Sequence, residues 1–160
     1  MSGNKISNGD KAPDFELPTD DGAAFRLSAH AGTPVVVFFY PKDNTPGCTS
    51  EAKDFTRLAS DFRQLGITVV GISPASNAKH KNFRKKHGLE VQLAADEDHN
   101  VAEQYGVWAQ KSMFGRKYMG IERSTFLIDR RGDVAEAWHK VSVPGHAEAV
   151  LSVARIVAKR

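Results

Sequence analysis

Pro34-Val35-Val36-Val37-Phe38-Phe39-Tyr40-Pro41-Lys42-Asp43-Asn44-Thr45-Pro46-Gly47-Cys48 is the stretch on which the fold turns. Its first half is a continuous β-branched and aromatic run, the pattern of a strand buried on both faces and therefore central in a sheet. Pro41 breaks the strand. Thr45 is a good helix N-cap, and Pro46 takes the first helical position, where its missing N–H costs nothing. Cys48 then falls at the third helical residue. There, unpaired backbone N–H groups and the positive end of the helix dipole favour a thiolate over a thiol. The loop emerges at the carboxyl end of the sheet, where open α/β folds place their ligands, so the thiol is expected at a pocket. The plain alternative is a small buried hydrophobe, but no core-filling position needs Thr, Pro and Gly just before it.

Outward from this segment, Phe55, Leu58, Ala59, Phe62 and Leu65 recur at helical spacing until Gly66 closes the helix. Thr68 to Ser73 reads as a second buried strand and Asn77 to His87 as a helix stopped by Gly88, which makes a parallel strand, helix, strand unit. Upstream, Ala12 to Pro18 alternates like a short edge strand, and Asp20-Asp21-Gly22 turns it into a partner around Ala24 to Leu27. Downstream come a weaker strand near Val91 to Ala94, a short helix around Asn100 to Tyr105 and a loop from Trp108 to Gly120. Ser124 to Ile128 and Val134 to His139 form an antiparallel hairpin, followed by a helix from about His146. The order gives an α/β sandwich: a mixed central sheet, helices on both faces and an N-terminal β-hairpin.

The 160 residues fit one domain, drawn over 1–160 without an internal boundary. Twenty-two basic residues against 19 acidic ones leave +3, too little to argue for nucleic acid. Met1 to Asp10 is polar and lacks the apolar core of a signal peptide, and Val35 to Tyr40 is far too short to span a bilayer, so no membrane partner is expected. A lone cysteine permits no internal disulfide, which suits a reducing compartment such as the cytoplasm. Asp96, Asp98 and Asn100 imitate a calcium loop, but the sixth position is Val101 where glycine is required; they are expected to cap the short helix instead. Six scattered histidines lack ligand spacing, and no glycine-rich phosphate loop is present, so neither metal nor cofactor is expected. Lys79, His80, Lys81, Arg84, Lys85, Lys86 and His87 read as a solvated basic helix face.

Tyr40 to Ala52, with Lys42-Asp43-Asn44-Thr45-Pro46-Gly47-Cys48-Thr49, resembles the active-site segment of bacterioferritin-comigratory-type peroxiredoxins, the peroxiredoxin Q subfamily. The resemblance extends to Ala12-Pro13-Asp14-Phe15 and to Gly120 through Asp129. It implies a thioredoxin-like fold and a peroxidase that reduces hydrogen peroxide and alkyl hydroperoxides through a cysteine sulfenic acid. Carried over position by position, it makes Cys48 the nucleophile, Thr45 the hydroxyl that orients the peroxide, Pro41 the apolar shield and Arg123 the cation beside the sulfur. Attack on an O–O bond needs donors for both oxygens and for the departing charge, which Arg123 and the N–H groups of Gly47 and Cys48 can supply. Glu51, one turn after Cys48, is placed to orient the arginine.

The chain departs from many relatives in having no resolving cysteine: position 53 is Lys53, and the next helix offers Phe83 and Arg84 but no thiol. A one-cysteine cycle is therefore expected, with glutathione, another small thiol, glutaredoxin or thioredoxin as the external partner. Relatives are often monomers, and a monomer is expected here. The competing readings are a non-catalytic peroxide sensor and a thiol-dependent interaction protein on the same fold.

Overall fold

The computed structural model describes residues 5–160; the first four residues of the polar start lie outside them. The chain opens with β1 (Glu16–Pro18) and β2 (Ala24–Arg26), then β3 (Val35–Phe39), α1 (Pro46–Arg57), α2 (Ala59–Gln64), β4 (Thr68–Ser73) and α3 (Asn77–His87). It continues through β5 (Gln92–Ala95), α4 (Asn100–Gln104), β6 (Trp108–Met113) and β7 (Arg116–Ile121). β8 (Ser124–Ile128), β9 (Val134–Trp138) and α5 (His146–Val157) complete it.

β3 occupies the middle of a five-stranded sheet in the order β5-β4-β3-β8-β9. It runs parallel to β4 and antiparallel to β8. Its alternate residues divide between two cores: Val36, Phe38 and Tyr40 join α1, α2, α3 and α5 on one face, while Val35, Val37 and Phe39 join β1, β2 and α4 on the other. A β-branched and aromatic run is what such a doubly buried strand requires. Gly71 on β4 makes room for the Phe38 ring, since a Cβ there would lie 2.6 Å from it. The N-terminal segment, with its hairpin, is tied to both flanks of the sheet by the bridges Thr19–Ala94 and Lys11–Asp133.

Two elements differ from the sequence expectation. The single helix expected through residue 65 is divided at Leu58, although Leu58 N–H still bonds to Asp54 O and Phe62 N–H to Leu58 O. Phe55, Leu58 and Phe62 stay on one buried face across this kink, so an apolar period cannot reveal it. The segment 108–120, expected as a loop, is the β6–β7 hairpin. Most of its side chains beyond the root are exposed, so no core-facing alternation marks it as strand. Asp96 does cap α4, accepting from the N–H groups of Val101 and Ala102. Among the described residues no helix is long and apolar enough to cross a membrane.

Candidate active site

β3 pairs with β8 in a register that sets Phe39 opposite Ser124. Arg123, the residue before Ser124, is thereby brought to the carboxyl end of β3, from which the chain leads through Pro41–Thr45 into α1. Thr45 is the N-cap of α1 in extended conformation, and Pro46, Gly47 and Cys48 are its first three residues. The Thr45 hydroxyl does not cap the helix; it donates to Lys42 O at 2.8 Å. The first N–H groups of α1 thus keep no capping partner from Thr45, which leaves them available to a ligand.

Arg123 joins the cluster. Its Nη2 donates to Cys48 Sγ at 3.3 Å, and its Nη1 donates to Glu51 Oε1 at 2.7 Å. Gly47 lets the guanidinium lie this close, for a Cβ there would sit 3.1 Å from Nη2. Burial pulls the guanidinium's affinity for its proton down, but the charges of Glu51 and Cys48 outweigh it and hold the value above the ordinary one. Burial pushes the Glu51 carboxyl up to about 7 against the pull of Arg123. Its second oxygen, Oε2, is buried without a hydrogen-bond partner. Burial and the pairing with Arg123 thus pull the carboxyl in opposite directions, and burial prevails.

Cys48 is 1% exposed, so the choice between a buried inert thiol and an exposed reactive one does not apply: it is enclosed and paired with a cation. A cleft of 460 Å³ adjoins the same loop, lined by Pro41, Lys42, Asp43 and Asn44 together with Pro74, Ala75, Lys79 and Asn82, but Cys48 is not part of its wall. The expected pocket therefore lies beside the thiol, and the sulfur itself is sunk below the surface.

Three groups that sequence reasoning missed hold this loop in place. Asp43 accepts from the Tyr40 hydroxyl at 2.7 Å and faces His80 Nδ1 at 2.7 Å, while His80 Nε2 faces Ala94 O at 3.1 Å. The His80 ring is thus held between a carboxyl group on one nitrogen and a backbone carbonyl on the other. All three side chains are buried. His80 is thus not part of a solvated basic face; it precedes buried Phe83 by three residues, and that spacing was the available signal. Arg84 likewise turns inward, donating to Asp20, Leu89 O and Val91 O. Lys111 on β6 was also missed: burial, then repulsion from Arg123, lowers its proton affinity, while Cys48 and Glu122 oppose this. Behind the site, burial and then Arg123 push His146 down to about 4, and its Nε2 meets Thr125 Oγ1 at 2.8 Å. Among the described residues no group of three or more His, Cys, Asp or Glu side chains is placed to hold a metal ion.

A model of the AhpC/TSA family matches residues 8–137. Peroxiredoxin Bcp of Bacillus subtilis (strain 168) is 44% identical over 155 residues, covering 97% of this chain and 99% of that protein. The bacterioferritin comigratory protein of Xanthomonas campestris, whose structure was described for its alkyl peroxide reduction activity, superposes with a TM-score of 0.86 at 42% identity, over 90% of this chain and 92% of that one. A cysteine-to-serine variant of Xylella fastidiosa PrxQ superposes with a TM-score of 0.90 at 36% identity, over 96% and 98% of the two chains.

Proposed function

The chain belongs to the AhpC/TSA family, in its Bcp/peroxiredoxin Q branch with a thioredoxin-like fold, and is a peroxidase; from that premise we propose a one-cysteine cycle in which Cys48 is the nucleophile and an external thiol completes turnover. The Cys48 thiolate attacks the terminal oxygen of a hydroperoxide. An S–O bond forms to the oxygen that carries the peroxide hydrogen, the O–O bond breaks, and the departing alkoxide, or hydroxide from hydrogen peroxide, takes a proton from solvent and leaves as alcohol or water. One molecule of external thiol then displaces water from the sulfenic acid to give a mixed disulfide, and a second releases Cys48 as the thiol with a free disulfide.

The observation that carries this reading is the Arg123 guanidinium spanning Cys48 Sγ and Glu51 Oε1. In that position it stabilises the thiolate and then the charge on the departing oxygen. Thr45 has committed its hydroxyl proton to Lys42 O, so its oxygen lone pairs are free to accept from the peroxide O–H. The N–H groups of Gly47 and Cys48 act as further donors, Pro41 shields the sulfur from water, and Glu51 orients Arg123.

The single cysteine supports external resolution. Arg84, on the helix where many relatives carry the second thiol, is spent on three structural acceptors. A small hydroperoxide presents its terminal oxygen to an enclosed sulfur more readily than a thiol does, so resolution requires the first turn of α1 to open. Hydrogen peroxide and alkyl hydroperoxides are the substrates, and glutathione, another small thiol, glutaredoxin or thioredoxin the reductant. The protein works as one monomeric domain in a reducing compartment such as the cytoplasm. Mass spectrometry after one equivalent of peroxide tests this: sulfenic acid on Cys48, then a mixed disulfide on adding glutathione, and steady turnover in excess thiol. A single stoichiometric oxidation without turnover would instead mark a sensor.

A further inference from the structure

Four of the five large apolar side chains that stand exposed among the described residues belong to the β6–β7 hairpin: Met113, Phe114, Tyr118 and Met119, with Phe114 99% exposed. The hairpin is a two-stranded sheet of its own, rooted at the Trp108–Ile121 pair and ending at Met113–Arg116. Its turn residues, Phe114 and Gly115, both have positive φ, +52° and +78°. That is the geometry of a tight hairpin turn which favours Asn-Gly, and an aromatic residue held there costs free energy. The exposed ring returns none of it within the chain. Residues 108–121 also carry Lys111, Arg116 and Lys117 and no acidic residue. Basic and acidic residues balance over the rest of the sequence, so the net charge of +3 resides on this hairpin.

We propose that the crest of β6–β7 docks on an anionic lipid surface, with Met113 and Phe114 entering the boundary between headgroups and acyl chains and Arg116 and Lys117 meeting the phosphates. A convex apolar crest backed by cations suits a soft anionic interface. A second copy of the chain would bring two +3 hairpins together, which like charges oppose. Such docking needs no spanning segment. The hairpin ends two residues before Arg123, so binding holds the peroxide site within a hairpin's length of the lipid, about 20 Å for six residues per strand. The inference does not depend on how Cys48 is resolved.

The test is co-sedimentation of the full chain with vesicles of phosphatidylcholine alone and with about 30% phosphatidylglycerol, alongside turnover of hydrogen peroxide in solution. Phe114→Asn installs the residue the turn prefers, so the fold is retained and solution turnover is unchanged. The expected result is binding to the anionic vesicles only, at least tenfold weaker in Phe114→Asn, weakened roughly fivefold by each of Arg116→Gln and Lys117→Gln, and abolished by high salt. The proposal is overturned if the anionic vesicles bind no protein, if Phe114→Asn binds as the parent does, or if the substitution instead dissolves a dimer.

Discussion

The carboxyl end of β3 and the crest of the β6–β7 hairpin invert the ordinary distribution of side chains in opposite ways. At the first, a thiol, two carboxylates, an imidazole and a guanidinium are buried or largely buried, almost all with partners. At the second, four large apolar side chains stand exposed, three of them by about half and Phe114 almost wholly. Buried polar groups are costly unless satisfied, and exposed apolar ones forgo burial. The first region is therefore held by strong local interactions whose loss is destabilising. The second contributes little to folding and is free to serve an external surface.

That contrast is tested first where it predicts the largest effect. Asp43→Ala leaves His80 and the Tyr40 hydroxyl buried without their shared acceptor and should cost about 3–5 kcal/mol in urea unfolding. A cost under about 1 kcal/mol would mean that the pair is not a structural anchor.

The next effect depends on pH. His146 titrates at about 4 when folded, against an ordinary 6.5. The unfolded chain binds the extra proton across that window, so stability is full above it and falls as pH drops from 6.5 towards 4, by at most about 3 kcal/mol. Glu51 works the other way: its folded value of about 7 stabilises the protein at low pH, and that contribution is lost as pH rises from 4.5 to 7. Thermal unfolding of the parent and of His146→Gln should diverge over pH 4–6.5, and parallel curves would contradict the assignment.

Gly47→Ala is a smaller perturbation of the same end. Its Cβ would push the mobile end of Arg123 from a 3.1 Å approach, and peroxide kcat/KM should fall about tenfold, with the unfolding midpoint little changed. Smallest is the effect of Phe114→Asn on stability: a gain of up to about 1 kcal/mol, read as a higher Tm, because the substitution relieves the left-handed turn without removing a core contact. A marked loss would show that the hairpin crest packs on the protein after all.

These regions also differ in how far the sequence discloses them. The run Val35–Tyr40 and the Thr-Pro-Gly-Cys helix start are local signals, and β3 and α1 follow them directly. The proximity of Arg123 to Cys48 spans 75 residues and depends on the Phe39–Ser124 register, which no local pattern encodes; only the family resemblance pointed to it. By residue type alone His80 and Arg84 read as solvated, although α3 has Phe83 as its single large apolar side chain and needs neighbours on that face to complete its packing. The hairpin was missed because alternation reports burial, and most of this element is not buried.

The most direct test of the central claim is the rate at which one equivalent of hydrogen peroxide oxidises Cys48 under rapid mixing, in the parent and in Arg123→Met. Removal of the guanidinium should slow the step roughly 10²–10³-fold while far-UV circular dichroism stays near the parent's, with the unfolding midpoint lowered because Glu51 loses its partner. An Arg123→Met protein that is folded and oxidises at the parent rate would contradict the account.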